Sequence, residues 1–446
     1  MELLEGKNVG TPNPSNVSTK QQRIATLAKQ GKGALNTLAH HIDIEWLKEA
    51  CRRTRKDGAT GIDGVTAQQY EEKLEENLQS LLNRAKSGEY YAPPVRRVFI
   101  PKGDGKERPI GIPTFEDKVL QRAVHMVLEP VYEQSFHDCS YGFRPGRSAH
   151  QALASLRQQM MEMNGGWLLE VDIKSFFDTL DHRELQQLLR NRVRDGVLLR
   201  LIGKWLNAGV QHEGTFSRPD AGTPQGGVIS PLLANIYLHE VLDEWVESEV
   251  KPRLEGRCFL VRYADDFVLG FSSEADARRV MEVLPKRFGK YGLTLHPEKT
   301  KLLRFQRPKG DDGGQPPPES FDFLGFNHHW EKSLKGWWVI KQKTATSRLT
   351  RALARVRAWC RRFLHRPLAE QHRHLSRVMK GHYEYYGLTG NSQALSRYAY
   401  EVHMTWWKWL GRRSQRGMTW ERFSQLLQHF ALPPPRVKHS TLRYAQ

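Results

Sequence analysis

The chain has 446 residues, 39% of them hydrophobic, and a formal charge of +19 at pH 7. That length suits roughly three domains, and the excess of cations points to a polyanionic partner. Four scattered cysteines with no C-x-x-C pair argue against a disulfide framework or a cysteine-based zinc site, while the absence of any apolar run near ~18 residues or of a signal-peptide core argues against a membrane and for a reducing, cytoplasmic setting.

Residues 1–34 are polar, rich in Gly, Asn, Ser, Thr and Lys, and read as a mobile leader. From Ile44 to Ala85, helical patterns surround the glycine-rich loop DGATGIDGVT (57–66). VRRVFIPKGDGKERPIGIP (95–113) reads as strand, Gly-Asp-Gly turn and strand, a hairpin with a basic tip. A helix is expected from Glu116 to Phe136. GGWLLEVDIKSFFDTLDH (165–182) is a buried strand running into a turn, then a helix opening at Asp181. Ser230 and Pro231 read as N-cap and first residue of a helix reaching about Val250.

RCFLVRYADDFVLGFSS (257–273) sets two β-favouring apolar runs either side of Asp265 and Asp266, the pattern of a hairpin with two anions at its tip. RPKGDDGGQPPPES (307–320) is a Pro/Gly linker or long loop, and FDFLGF (321–326) one more short strand. Beyond residue 330 the composition turns to Arg, Trp and His in mostly helical patterns. This last stretch holds 23 Lys/Arg against 5 Asp/Glu, whereas the preceding 330 residues hold 45 against 44. The irregular mixture of strands and helices fits α+β better than a doubly wound sheet.

Adjacent carboxylates on an apolar hairpin repel each other and desolvate poorly without a cation. A solvated turn is the ordinary fate of an Asp-Asp pair, and a hydrolytic carboxylate dyad is another reading. Asp172, ending the apolar strand Trp167–Val171, tips the balance towards metal. Two-metal phosphoryl or nucleotidyl transfer needs carboxylates from separate strands converging on cations about 3.5–4 Å apart. Mg2+ suits such a site, being hard and content to keep water and phosphate ligands.

IPKGDGKERPIGIPTFEDKVLQRAV, SYGFRPGRSAHQAL, DIKSFFDTLDH, GTPQGGVISPLLANIYL, RYADDFVLGF, GLTLHPEKTKLLRF and FDFLGF occur in the order and approximate spacing of group II intron reverse transcriptases, the maturases. The chain resembles that family closely over about 45–330 and loosely over 331–446. The resemblance implies a right-hand polymerase fold: an N-terminal extension and start of fingers over 35–95, fingers and palm with a central antiparallel sheet over 96–330, and a basic α-helical thumb/domain X over 331–446. It implies that Asp172 and Asp265 bind two Mg2+ ions, helped by the Ile173 carbonyl, with Asp266 nearby and more peripheral. Phe177 then packs under the incoming sugar and excludes a ribose 2′-OH, while Phe176 is core. Gln225 meets nucleotide or template base where Gly226 and Gly227 let backbone approach closely. Lys102 and Arg108 grip the triphosphate, Arg108 through its bidentate fork. Arg144 and Arg147, on the turn GFRPGR, are candidate template contacts, and loop 57–66 closes over template RNA.

In the basic quarter, Arg348, Arg351, Arg355 and Arg362 fall in one helical stripe beside an apolar face of Leu349, Leu353, Val356, Cys360 and Phe363. One face packs while the other follows a phosphate backbone, and binding is salt-sensitive. Trp337, Trp338 and WWKWL (406–410) are base-stacking candidates, but Trp406, Trp409 and Leu410 share a helical face and read as core. His372 and His374 lie among arginines without the carboxylate a zinc site would want. The function implied is an RNA-directed DNA polymerase adding dNTPs to a primer on an RNA template, which also binds structured intron RNA to assist splicing and mobility into target DNA. A splicing chaperone with lapsed polymerase is disfavoured by the intact Asp172, Asp265, Asp266, Gln225, Lys102 and Arg108, and an RNA-dependent RNA polymerase by Phe177. A group II-like reverse transcriptase detached from any intron and recruited to defence or repair stays open, as does the oligomeric state. No Cys/His endonuclease motif follows domain X, so second-strand cleavage is not expected.

Overall fold

The second half of the polar leader is a helix. The computed structural model describes residues 17–31, 33–101, 107–212, 215–217, 222, 226–308, 319–415 and 417–440. In it, α1 (Val17–Gln30) buries Ile24 and Ala28, the Gln21 amide donates to the Met126 carbonyl (3.0 Å), and Lys20 pairs with Asp43. Two apolar residues in a polar run carry this docking, too weak a periodicity to stand out from the sequence. The leader's residues 1–16 lie outside the described ones.

Local signals set the next boundaries. Asp43 caps α2 (Ile44–Arg53), a Thr66/Gln69 capping box opens α3 (Ala67–Glu71), and left-handed Gly88 ends α4 (Leu74–Ser87). The expected hairpin forms from β1 (Val95–Pro101) and β2 (Glu107–Ile112); its basic tip, with Lys102, lies outside the described residues. α5 (Phe115–Tyr132) stops short of Phe136. Then come α6 (Ala149–Glu162), β3 (Trp167–Val171), the single turn α7 (Phe176–Thr179), α8 (His182–Arg190) capped by Asp181, α9 (Gly196–Leu206), and the short β4 (Val210–His212) and β5 (Thr215–Ser217). α10 (Ser230–Leu238) continues through two π-helical stretches, His239–Asp243 and Val246–Val250. Ser230 is its first residue rather than its cap. Ile229 holds the cap position, and the amides of Val228 and Ile229 donate to the Gln121 side chain (2.8 and 3.4 Å), a tertiary partner no local pattern announces.

The chain ends with β6 (Cys258–Tyr263), β7 (Asp266–Phe271), α11 (Glu274–Lys290), β8 (Lys301–Arg304), β9 (Phe321–Phe323), β10 (Phe326–Lys332), β11 (Trp338–Thr344), α12 (Thr346–Arg362), α13 (Leu368–Tyr386), α14 (Ser392–Gly411) and α15 (Trp420–His429). The helical quarter therefore starts at Thr346, not 331. Residues up to Thr344 form a hairpin whose inward positions include the buried polar Gln342, which hides the two-residue period.

The central sheet is antiparallel in the order β6-β7-β3-β8. Leu169, Val171, Leu260, Phe267 and Leu269 face a core shared with α5, α10 and α11. Leu168, Phe259, Val261 and Val268 face a second core with α6 and the β10–β11 hairpin. Burial on both faces explains why these strands read as continuous apolar runs. Beside it stands a mixed sheet, β2-β1-β4-β5, in which β1 and β4 are parallel. A three-stranded sheet, β11-β10-β9, leads into α12. The architecture is thus mixed α/β with antiparallel sheets.

In the helical quarter, Leu349, Leu353, Val356 and Cys360 of α12 are buried against Leu375, Met379, Trp406 and Leu410, as the apolar stripe requires. Trp406 is fully buried, its indole donating to Gln371 Oε1 (2.9 Å). Trp406→Ala is expected to cost about 3–5 kcal/mol, read as a lower urea midpoint for this region; a loss below about 1 kcal/mol would instead favour a surface, base-stacking role.

Candidate active site

The turn between β6 and β7 is the tightest the hairpin permits. Tyr263 pairs with Asp266, leaving Ala264 and Asp265 as the two-residue loop. Ala264 sits at φ 58°, a left-handed conformation that glycine takes readily and alanine does not. It is held there by neighbours. Fully buried Arg262 donates from Nη1 to the Ala264 carbonyl (3.0 Å) and to Asn235 Oδ1 (2.9 Å). Its Nε and Nη2 donate to the two oxygens of Asp243 (2.7 and 2.5 Å), which is fully buried in the first π stretch. Asn235 donates in turn to the Gly142 carbonyl (2.7 Å).

Gly142 explains the block GFRPGR. A Cβ there would lie 2.3 Å from the Ala264 nitrogen, so only glycine lets this turn pack on the hairpin tip. Arg144 belongs to the same brace and leaves the set of template contacts. Its buried guanidinium takes Glu133 (2.9 Å from Nη2), donates from Nη1 to the His137 and Ser140 carbonyls (2.6 and 2.9 Å), and lies over the Phe136 ring. Arg147 is half-buried, paired with Asp138 and stacked on Tyr141.

Strand pairing brings the third carboxylate in. Val171 on β3 is opposite Phe267 on β7, so Asp172 emerges level with Asp266, beside the turn. Its carbonyl accepts from the His296 amide (2.7 Å), and its carboxylate from Lys299 Nζ (2.6 Å). Lys299 was not singled out from the sequence, where it is one of two lysines in HPEKTK; only the fold distinguishes it. Buried Ile173 bridges to Leu295, and no described residue donates to its carbonyl.

The electrostatics match a cation site. Burial raises Asp265 above the usual carboxylate range, and Asp172 adds to this while Arg108 and Arg262 offset it. Asp266, exposed at the start of β7, is pushed up to about 6 by desolvation and by Asp265 and Asp172, with Arg348 and Arg108 opposing. Arg108 on β2 and Arg348 at the start of α12 thus act on the carboxylates from two different elements. The three carboxylates do not place one oxygen each within 4.8 Å of the others. Carboxylates and a free carbonyl are hard-oxygen donors that fit a divalent ion.

Phe176 is buried, whereas Phe177 on the same turn is half-buried against the same core. Gly226 (φ 114°) does allow a close approach, but to β2: a Cβ would lie 2.5 Å from the Gly111 carbonyl. Gln225 lies outside the described residues. Loop 57–66 is docked on β1 and α5, the Thr60 carbonyl accepting from Arg96 (2.7 Å) and that of Ala59 from Lys118 (2.7 Å). Along α12, Arg348, Arg355 and Arg362 are exposed and Arg351 half-buried. Among the described residues no helix is long and apolar enough to cross a membrane.

The profile of the family described as reverse transcriptase (RNA-dependent DNA polymerase) matches residues 100–328. Protein YkfC of Escherichia coli (strain K12) is 38% identical over 352 residues, 69% of this chain and 87% of that protein. Group II intron-encoded protein LtrA of Lactococcus lactis subsp. cremoris is 48% identical over 190 residues, 42% of this chain and 30% of LtrA. Nuclear intron maturase 2, mitochondrial, of Arabidopsis thaliana is 29% identical over 177 residues, 31% of this chain and 24% of its own length. The chain thus spans less than a third of these two intron-related proteins.

A carboxylate raised from 3.8 to about 6 destabilises the fold when ionised. Asp266→Asn is therefore expected to unfold at a higher temperature than wild type in metal-free buffer near pH 7. The gap should narrow as pH falls through 6 and close near 4; a gap constant with pH would refute the repulsion.

Proposed function

The chain belongs to the reverse transcriptase (RNA-dependent DNA polymerase) family and is an RNA-directed DNA polymerase of the group II intron type, and from this membership we propose how its residues divide the work. The observation that carries the reading is the convergence of Asp172, Asp265 and Asp266 at the end of one antiparallel sheet, where burial and the neighbouring carboxylates raise Asp265 and Asp266. Asp172 and Asp265, with the Ile173 carbonyl, hold two Mg2+ ions, and Asp266 takes a more peripheral share. When bound, the ions activate the primer 3′-hydroxyl and clamp the attacking and leaving oxygens. Lys299 holds Asp172 until a cation replaces it.

Arg108 and Lys102 grip the triphosphate of the incoming dNTP, Arg108 as a planar fork. Phe177 lies under the sugar and clashes with a 2′-hydroxyl. Gln225 contacts the nucleotide or template base. Arg147 and loop 57–66 lie along the template. α12–α15 serve as thumb and domain X, with Arg348, Arg351, Arg355 and Arg362 tracking phosphates of the primer–template duplex. The same basic surface binds structured intron RNA to assist splicing and mobility, a reading that rests on the likeness to intron-encoded relatives.

The test is extension of a DNA primer on an RNA template with Mg2+ and four dNTPs. Asp265→Ala should lower the rate about 10³-fold or more, the several kcal/mol that metal clamping supplies; unchanged extension would refute the site. Phe177→Ala should keep dNTP incorporation and relax discrimination against rNTPs by roughly one to two orders of magnitude. Arg355→Ala and Arg362→Ala should weaken duplex binding and flatten its salt dependence, measured by anisotropy across a salt series.

A further inference from the structure

Next to the brace, on the side of the first π stretch, lies a cluster that the polymerase reading leaves unused. We propose that His137, His239 and Glu244 form a binding site for a divalent transition metal of the zinc class, separate from the catalytic carboxylates. One ligand atom from each of the three lies within 4.8 Å of the other two, and among the described residues no other group of three meets that geometry.

The backbone is arranged for it. In a regular α-helix, residues five apart point about 140° away from each other. The π stretch His239–Asp243 widens the turn, the Glu244 amide donating to the His239 carbonyl, and so stacks Glu244 above His239 on one face. His137 comes from the turn after α5, fixed by the Arg144 bond to its carbonyl. Its Nε2 is 2.8 Å from Glu244 Oε2, and its ring centroid 5.1 Å from that of His239.

His239 itself is 6% exposed, and its Nδ1 is buried with no hydrogen-bond partner. A buried, unsatisfied imidazole nitrogen is a cost that wants a reason. Asp243 Oδ2 stands 3.9 Å from this Nδ1, beyond hydrogen-bond reach, and both Asp243 oxygens are taken by Arg262. Two imidazole nitrogens and one carboxylate oxygen are the donor set of a tetrahedral zinc with one position left for water, whereas Mg2+ favours oxygen alone.

The site shares Asp243 with the brace. The carboxylate that stands beside His239 is the one that holds Arg262, and Arg262 holds Ala264. Metal here would stiffen the support of the catalytic turn without touching substrate.

The experiment strips the full chain with a chelator, equilibrates it with equimolar zinc chloride in magnesium-free buffer, and measures bound zinc by mass spectrometry and by competition with a chromophoric chelator. Wild type is expected to retain one equivalent. His137→Ala and Glu244→Ala, both at partly exposed positions, should bind about tenfold more weakly or worse while keeping the wild-type circular dichroism and melting in chelator. His403→Ala, on α14, should retain wild-type binding. Wild type without retained zinc, or His137→Ala and Glu244→Ala variants that keep it, would overturn the proposal.

Discussion

Arg262 and Asp243 form an ion pair with no solvent access on either side, and the turn bearing Asp265 and Asp266 hangs from it. Such a pair contributes little net stability against an apolar substitute, because desolvating two charges offsets their attraction, but losing one partner leaves a buried charge exposed to nothing. Its value here is geometric. One guanidinium spans Asp243 from the π stretch, Asn235 from α10 and the Ala264 carbonyl of the turn, and Asn235 passes the constraint on to Gly142. Two segments distant in sequence, the helical run 235–243 and the turn at Gly142, are thereby locked to one strained residue, Ala264.

What that lock positions is a destabilising arrangement. Asp265 and Asp266 are raised by burial and by repulsion, and among the described residues the one ammonium bonded to this trio, Lys299, serves Asp172 alone. The fold holds anions together and leaves the missing countercharge to be supplied on binding. Strength elsewhere allows this: the sheet is buried on both faces, so its register cannot slip to spread the carboxylates without exposing a core.

Charge is partitioned accordingly. The body of the chain is nearly neutral, and almost the whole positive excess lies beyond residue 330. Folding brings part of it back: Arg348, at the first turn of α12, acts electrostatically on Asp266, as Arg108 does from β2. Cations from β2 and from α12 therefore act on the same carboxylate.

The strand ends bearing Asp172 and Asp265, the apolar face of α12, the buried Phe176 beside half-buried Phe177 and the cap at Asp181 were all legible in the sequence, because each depends on periodicity or on residues within a few positions. The roles of Arg144, Gln121, Lys299 and Gly142 were not, since each is set by a partner far along the chain; Arg144 read as a template contact until Glu133 and two carbonyls occupied its donors. The helix α1 and the β11 strand escaped notice because their burial rests on few or polar side chains. By itself the sequence determined the strand ends that carry the carboxylates, the order of the elements and the placement of charge, which are local properties of residue type and spacing. Only the tertiary structure decided which cation meets which carboxylate, because a guanidinium is committed by whatever long-range packing brings within hydrogen-bond reach.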